Sequence, residues 1–148
     1  MSFIKVYIHF VWSTKNREPF LATHAIRKQL WEHITENARK KGIYIACING
    51  YTDHCHCLVS LGVNQTIQEV IQLIKGESSF WMNQENILGY KFEWQREYFA
   101  ASVSERIIPQ TERYIQRQET HHNKESYGYE MGRIVQIFGL EKYEKYED

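Results

Sequence analysis

The hydrophobic pattern along the chain changes its period several times, and each change predicts a new element. Four segments rich in β-branched and aromatic residues are predicted to be strands: 3–13, 43–51, 54–63 and 92–104. Four segments in which apolar residues recur at three- and four-residue intervals are predicted to be helices: 23–41, 64–83, 109–122 and 131–140. Gly42 stands where the first helix should end, and residues 84–91 show no regular period.

The order of these elements is that of a ferredoxin-like (RRM-like) fold of the α+β class, a split β-α-β arrangement. The short connection at residues 51–53 predicts an antiparallel hairpin of the second and third strands. Two helices would cover one face of the sheet and leave the other free for function. Another α+β sandwich with the same elements is the alternative. No linker or repeat divides the chain, so residues 1–148 are predicted to form one domain.

Composition narrows the class of protein. With 43% hydrophobic and 24% charged residues in 148, the chain has the balance of a soluble globular protein. Its longest apolar runs are far below the ~20 residues of a membrane span, and its start lacks the pattern of a signal peptide. We therefore expect a cytoplasmic protein without a membrane partner. The odd number of cysteines, three, argues against a disulfide framework.

The charge balance bears on nucleic acid as a partner. Lysine and arginine equal aspartate and glutamate at 18 each, so the net charge is zero. Nucleic-acid-binding domains are usually basic. Any such binding would therefore depend on local patches, stacking and a metal ion.

The densest group of metal-capable side chains is the run HCHC at 54–57. Successive side chains of a strand point to opposite faces, so the two histidines share one face and the two cysteines the other. Val59 and Leu61 continue the cysteine row, which is therefore predicted to be core. His54 and His56 would project from the free face. They are either two surface histidines or the start of a metal site that needs a third ligand.

The third helix supplies further candidates. Tyr114 and Gln118 are four residues apart and so share one helix face, which His121 continues. A tyrosine hydroxyl can act as a nucleophile when it is activated, and a glutamine oxygen suits Mg²⁺ or Mn²⁺ better than zinc. The alternative is that Tyr114 only packs the helix against the sheet.

In combination these motifs resemble a known family over nearly the whole chain. DHCHCLVS at 53–60 matches the D-H-x-H-x-x-V-S strand of the HUH-type single-tyrosine transposases of small bacterial insertion sequences and their REP-associated relatives. RYIQRQ at 113–118 matches the family's helix, in which a tyrosine precedes a glutamine by four residues. Lesser matches are FVWSTKNR at 10–17, IKGESS at 74–79 and WQREYF at 94–99.

The resemblance implies a function and a site. His54, His56 and Gln118 would bind one divalent cation, Mg²⁺ or Mn²⁺, and Tyr114 would attack a phosphodiester of single-stranded DNA. A 5′-phosphotyrosine link and a free 3′-OH would form, and attack by another 3′-OH would rejoin strands. The DNA would be a hairpin end or a REP-like palindrome. The resemblance also implies a homodimer with composite active sites, in which the tyrosine helix of one subunit serves the histidines of the other.

Several residues have two interpretations each. Asp53 is either a partner that fixes a histidine tautomer or a turn residue of the hairpin. Lys15, Arg17 and Lys75 are either contacts to DNA phosphates or solvated surface charges. The sequence assigns no role to His9.

Trp81 and Trp94 are predicted to be core residues rather than platforms for bases.

Two other functions compete with a transposase. A non-catalytic single-stranded nucleic-acid binder on an RRM-like fold would carry an R-G-F-x-F-V type motif, and the chain has none. A metal-free phosphoesterase with paired histidines would need a second H-x-[ST] element. The remaining adjacent pair, His121–His122, lies on a predicted helix instead.

Overall fold

The computed structural model describes residues 2–121 and residue 130. Four strands are present: β1 Val6–Ser13, β2 Tyr44–Gly50, β3 His54–Leu61 and β4 Phe99–Val103. Four helices are present: α1 His24–Lys40, α2 Ile67–Gln84, α3 Ile108–Gln116 and α4 Gln118–His121. Short 3₁₀ turns at Lys15–Arg17 and Glu105–Ile107 follow β1 and β4.

The four strands form one sheet in the order β2-β3-β1-β4, and every pair is antiparallel. β1 and β3 are the central strands. α1 connects β1 to the edge strand β2, α2 connects β3 to the edge strand β4, and both helices lie on the same face of the sheet. This is the ferredoxin-like order that the sequence predicts, including the hairpin of β2 and β3.

The core lies between the sheet and the helices α1 and α2. Ile8, Phe10 and Trp12 of β1 alternate into it, as do Cys55 and Cys57 of β3. The predicted core role of the cysteine row is confirmed: both thiols are free and fully buried, and burial raises the pKa of each.

Local signals fix the ends of the two core helices. The side chain of Thr23 accepts a hydrogen bond from the amide of Ile26 at 3.2 Å, and Thr66 accepts one from Glu69 at 3.1 Å. Gly42, just beyond α1, has a φ of +75°, which a residue with a Cβ rarely adopts. The predicted boundaries of α1 and of the end of α2 are therefore correct to within a residue or two.

The strand predicted over 92–104 is interrupted. Only Phe99–Val103 pair as β4, and Trp94 makes a single bridge to Thr14. Trp94 is buried, as predicted, and its Nε1 donates to Oγ of Ser78 at 2.9 Å. This contact with α2 and two backbone hydrogen bonds beside the bridge, between Gln95 and Ser13 at 2.9 Å and between Lys15 and Glu93 at 3.0 Å, hold this part of the chain.

The second face of the sheet carries α3. Ile115 is fully buried in a small cluster with Leu58 of β3 and Val103 of β4. The predicted helix over 109–122 is interrupted at Arg117, where φ is −96° and ψ is 14°. The predicted helix over 131–140 lies outside the described residues.

Within the described part of the chain, no helix combines the length and the apolar character needed to cross a membrane.

We expect substitution by alanine to change the free energy of unfolding in opposite directions at Gly50, the last residue of β2, and at Gly76 in α2. A Cβ on Gly50 would stand 2.1 Å from the carbonyl oxygen of His54, whereas nothing outside its own helix lies within 4 Å of one on Gly76. Gly50→Ala should lower the free energy of unfolding by about 1–3 kcal/mol through backbone displacement. Gly76→Ala should raise it by about 0.5–1 kcal/mol because alanine favours the helix. Urea unfolding measures both, and a neutral Gly50→Ala would contradict the close approach.

Candidate active site

Two buried histidines stand together on the second face of the sheet. His54 and His56 are both fully buried, and their ring centroids lie 5.2 Å apart. The register of β3 against β1 places them opposite Ser13 and Val11. The strand alternation predicted from the sequence is therefore observed, but α3 and α4 cover the histidines, which are not exposed on a free surface.

His54 has a polar partner on each ring nitrogen. Its Nδ1 lies 2.8 Å from Oδ1 of Asp53, and its Nε2 lies 3.0 Å from Oε1 of Gln118. Asp53 is itself held against the end of β1, because its carbonyl oxygen accepts from the amide of Thr14 at 2.8 Å. The interpretation of Asp53 as a partner of a histidine therefore agrees with the geometry.

Glu130 completes the cluster, and the sequence reasoning missed it. Its side chain is fully buried, with Oε1 3.0 Å from Nε2 of His56 and Oε2 3.6 Å from Nε2 of His54. Nε2 of Gln118 donates to the same Oε1 at 3.3 Å. Glu130 follows Gln118 by twelve positions with no motif around it, so no spacing in the sequence marks it.

Tyr114 reaches the cluster from α3. Its hydroxyl donates to Oε1 of Glu130, and its ring meets that of His56 edge to face at a centroid distance of 5.5 Å. Ile115, the next residue, packs on Leu58 and seats the helix on the sheet. The tyrosine of one chain therefore lies beside the histidines of that same chain.

His9 is the third histidine of this face. It projects from β1, is 5% exposed, and its Nε2 lies 2.9 Å from Nδ1 of His56. Burial, and secondarily the nearby His56, lower the pKa of His9 to about 3, so its ring is neutral at neutral pH.

An ion-pair network holds the corner between α3 and α4. Oε1 of Glu119 accepts from Nε of Arg27 at 2.9 Å and lies 2.9 Å from Nδ1 of His24. Arg27 is buried, and its Nη1 also donates to the carbonyl oxygen of Leu21 at 2.7 Å. Because Glu119 follows Gln118 directly, this network fixes the position of the glutamine relative to α1.

The cluster has the chemistry of a site for a hard divalent cation. Ligand atoms of His54, His56 and Glu130 all lie within 4.8 Å of one another, and the amide oxygen of Gln118 adjoins them. In an octahedral site with metal–ligand distances of about 2.1 Å, neighbouring ligands are about 3.0 Å apart. The separations of 3.0 Å from His54 to Gln118 and from His56 to Glu130 match this spacing. The residues present therefore fit such a cation.

The basic residues suggested for DNA contact lie in different surroundings. Lys15 pairs with Glu93 at 3.1 Å. Arg17, the last residue of the 3₁₀ turn, is exposed and has a φ of 54°. Lys75 donates to the carbonyl oxygens of Gln95 and Arg96 at 2.6 and 2.8 Å, and burial lowers its pKa to about 8. A phosphate at Lys75 would have to compete with these carbonyls. Contact of the three with DNA stays a prediction.

Comparison with known proteins adds independent information. A family model described as "Transposase IS200 like" matches residues 2–118. The ISDra2 transposase TnpA of Deinococcus radiodurans is 27% identical over 123 residues, which are 79% of this chain and 84% of that protein.

Two solved structures share the fold. One is a candidate transposase from Deinococcus radiodurans, with a TM-score of 0.62 and 23% identity over 79% of this chain and 93% of that one. The other is a REP-associated tyrosine transposase bound to a REP hairpin, with a TM-score of 0.60 and 20% identity over 82% of this chain and 72% of that one. The family model spans both β3 with its two histidines and α3 with its tyrosine, and the sheet order agrees, so this chain belongs to the IS200-like transposase family.

Proposed function

We propose that this protein is a metal-dependent transposase that cleaves and rejoins single-stranded DNA through a 5′-phosphotyrosine intermediate. One observation supports this more than any other: the hydroxyl of Tyr114 adjoins a buried cluster of metal-capable atoms within one chain. A nucleophile beside a cation site is what cleavage of a phosphodiester requires.

In this proposal His54 and His56 hold the cation through their Nε2 atoms, together with oxygens of Gln118 and Glu130. The sequence predicts the first three ligands, and Glu130 is added by its position. Two imidazoles with amide and carboxylate oxygens suit Mg²⁺ or Mn²⁺, whereas structural zinc usually recruits cysteine, and Cys55 and Cys57 point into the core. A bound cation would polarise a nonbridging phosphate oxygen.

Tyr114 supplies the covalent step. Its oxygen attacks the phosphorus, a tyrosine–phosphate bond forms, and the bond from phosphorus to the 3′ oxygen breaks. The phenol loses one proton and the departing 3′ oxygen gains one, which leaves a free 3′-OH. A second 3′-OH then reverses the chemistry and releases the tyrosine, so no ATP is consumed.

The proposed substrate is single-stranded DNA with a hairpin or palindromic end, and the cytoplasm is the proposed place of action. The support is the fold shared with the REP-associated transposase, whose structure contains a REP hairpin. Because the net charge of this chain is zero, phosphate contacts would depend on local residues such as Lys15 and Arg17.

The competing hypothesis of an RRM-like binder is less well supported. Such a module stacks bases on aromatic residues of the sheet face. Here the corresponding face carries His9, His54 and His56, and α3 packs on part of it. Passive binding does not require a tyrosine hydroxyl in contact with the cluster of His54, His56 and Glu130.

We expect Tyr114→Phe to abolish a covalent protein–DNA adduct while leaving DNA affinity within about threefold, because the change removes a single oxygen. Labelled hairpin DNA with a 3′ single-stranded extension, incubated with protein and Mn²⁺, is resolved on a denaturing gel. Tyr44→Phe, on an exposed tyrosine of β2, is the matched control and should form the adduct normally.

An undiminished adduct with Tyr114→Phe would refute this nucleophile and direct attention to Tyr127 or Tyr129, which lie outside the described residues. DNA binding without any adduct in the wild type would favour the passive binder.

We expect chelation with EDTA to stop cleavage and Mn²⁺ to restore it, without unfolding the protein. The core lies on the opposite face of the sheet from the cluster, so the fold does not depend on the ion. Circular dichroism during the same titration checks this. Glu130→Gln should weaken Mn²⁺ binding at least tenfold, because a charged ligand is lost, whereas Glu112→Gln on α3 should not.

Unfolding on chelation would identify a structural zinc site and contradict the proposal. Equal Mn²⁺ affinity in Glu130→Gln and Glu112→Gln would remove Glu130 from the ligand set.

The homodimer with composite active sites stays a prediction. The single chain places α3 on its own sheet, next to its own histidines. Only residues 104–107 connect β4 to α3, so a change in this short turn would direct the helix to a second subunit. Tyr114 and Gln118 would travel together, because α4 follows α3 directly.

Mixing two inactive variants tests the composite site. His56→Ala and Tyr114→Phe proteins are combined under conditions that exchange subunits. If the helix crosses, a mixed dimer has one doubly defective site and one intact site, so cleavage is expected to return. If each helix serves its own chain, both sites keep one defect. Absence of cleavage, with mixed dimers demonstrated, would rule out the composite site.

A further inference from the structure

We infer that His9 is a positioning residue for the metal site: it accepts the Nδ1 proton of His56 and so presents the Nε2 lone pair of that histidine to the cation. The inference rests on the proposed metal-dependent function and concerns a residue to which the sequence motifs assign no role. Its direct evidence is the buried approach of 2.9 Å between Nε2 of His9 and Nδ1 of His56.

The sheet register creates this contact. His9 faces Leu58 across the β1–β3 ladder, and His56 faces Val11, so the two histidines are diagonal neighbours on one face. Diagonal Cα atoms are about 7–8 Å apart, a span that two imidazole rings can bridge. The rings of Phe99 and Tyr114 meet His9 edge to face, with centroids at 6.3 and 6.5 Å. His9 is therefore held in place by packing on both sides.

The tautomers follow from the ligand requirement. A histidine that binds a cation through Nε2 carries its proton on Nδ1, and the partner of Nδ1 decides which tautomer is populated. His54 has Asp53 in that position at 2.8 Å, and His56 has His9. The two ligands are thus oriented in the same way by two different kinds of acceptor.

The difference between the acceptors affects the charge of the site. Asp53 and Glu130 already bring two carboxylates to a divalent cation. A third carboxylate behind His56 would make a buried site negative, although it has to admit a DNA phosphate. An imidazole in this position orients His56 through the 2.9 Å contact without adding the negative charge that a carboxylate would bring.

The experiment uses the full chain and Mn²⁺ as the probe. His9→Phe keeps a ring of similar size but loses the acceptor, whereas His9→Gln keeps an amide oxygen that can accept the proton. By calorimetry, Mn²⁺ affinity should fall about 10- to 100-fold in His9→Phe and recover in His9→Gln. The matched control is His33→Phe, at a histidine of α1 that stacks on Trp81 and pairs with Glu77.

Nitrogen-15 NMR of the metal-free protein gives a second readout that a general loss of stability would not move. In the metal-free protein the carboxylate of Glu130 competes for the proton at Nε2 of His56. The fraction of His56 protonated on Nδ1 should therefore be larger in the wild type and in His9→Gln than in His9→Phe. Wild-type Mn²⁺ affinity together with an unchanged His56 tautomer in His9→Phe would overturn the inference. If the wild type binds no Mn²⁺, the proposed metal site fails, and the tautomer comparison alone still decides the role of His9. Should His9→Phe not fold, His9→Leu, which also lacks the acceptor, replaces it in both measurements with the same expected and contrary outcomes.

Discussion

The register of β3 in the centre of the sheet is the constraint on which the rest of the molecule depends. Because side chains alternate along a strand, this register directs Cys55 and Cys57 into the core and His54 and His56 to the opposite face. A slip of one residue would exchange the two sets, placing imidazoles among the apolar side chains of the core and thiols in the polar cluster. The close approach of Gly50 to the carbonyl of His54 helps to prevent such a slip, since the hairpin has no room for a bulkier residue.

The polar cluster on the second face has a high free-energy cost of burial. A carboxylate removed from water destabilises the fold unless charges and hydrogen bonds compensate it. Glu130 is surrounded by His54, His56, Gln118 and the hydroxyl of Tyr114, all of which approach it within the buried interior. Burying so many polar atoms together does not by itself stabilise the fold, but their spacing suits the binding of a cation. A bound cation would compensate part of the negative charge of the buried Glu130 carboxylate.

The sequence predicts the parts of this site that obey a period and misses those that depend on tertiary contact. Strand alternation places the two histidines on one face, and helical spacing places Tyr114 with Gln118. Their roles as ligands and nucleophile come from the family resemblance. The sequence places His9 on β1, but its partner His56 lies 47 positions further along the chain. Only the register of the β1–β3 ladder therefore reveals the contact. Glu130 has no neighbouring pattern at all. Residues 92–98 mislead because aromatic residues favour strands, whereas here Trp94 is held by Ser78 of α2.

The corner between α3 and α4 links the nucleophile to the rest of the fold and limits how it can move. Arg27 is buried, and its charge is compensated by Glu119, directly after Gln118. Removing α3 and α4 from the sheet would leave this guanidinium without its carboxylate in a site of low exposure, which is strongly unfavourable. An exchange of helices between two subunits avoids this free-energy cost only if it is reciprocal, because the incoming helix then supplies a Glu119 to each Arg27. Gln118 and Glu119 are adjacent and Tyr114 precedes Gln118 by four residues. A displacement of Tyr114 that carried Gln118 and Glu119 with it would therefore break the ion pair with Arg27 unless a second chain restored it.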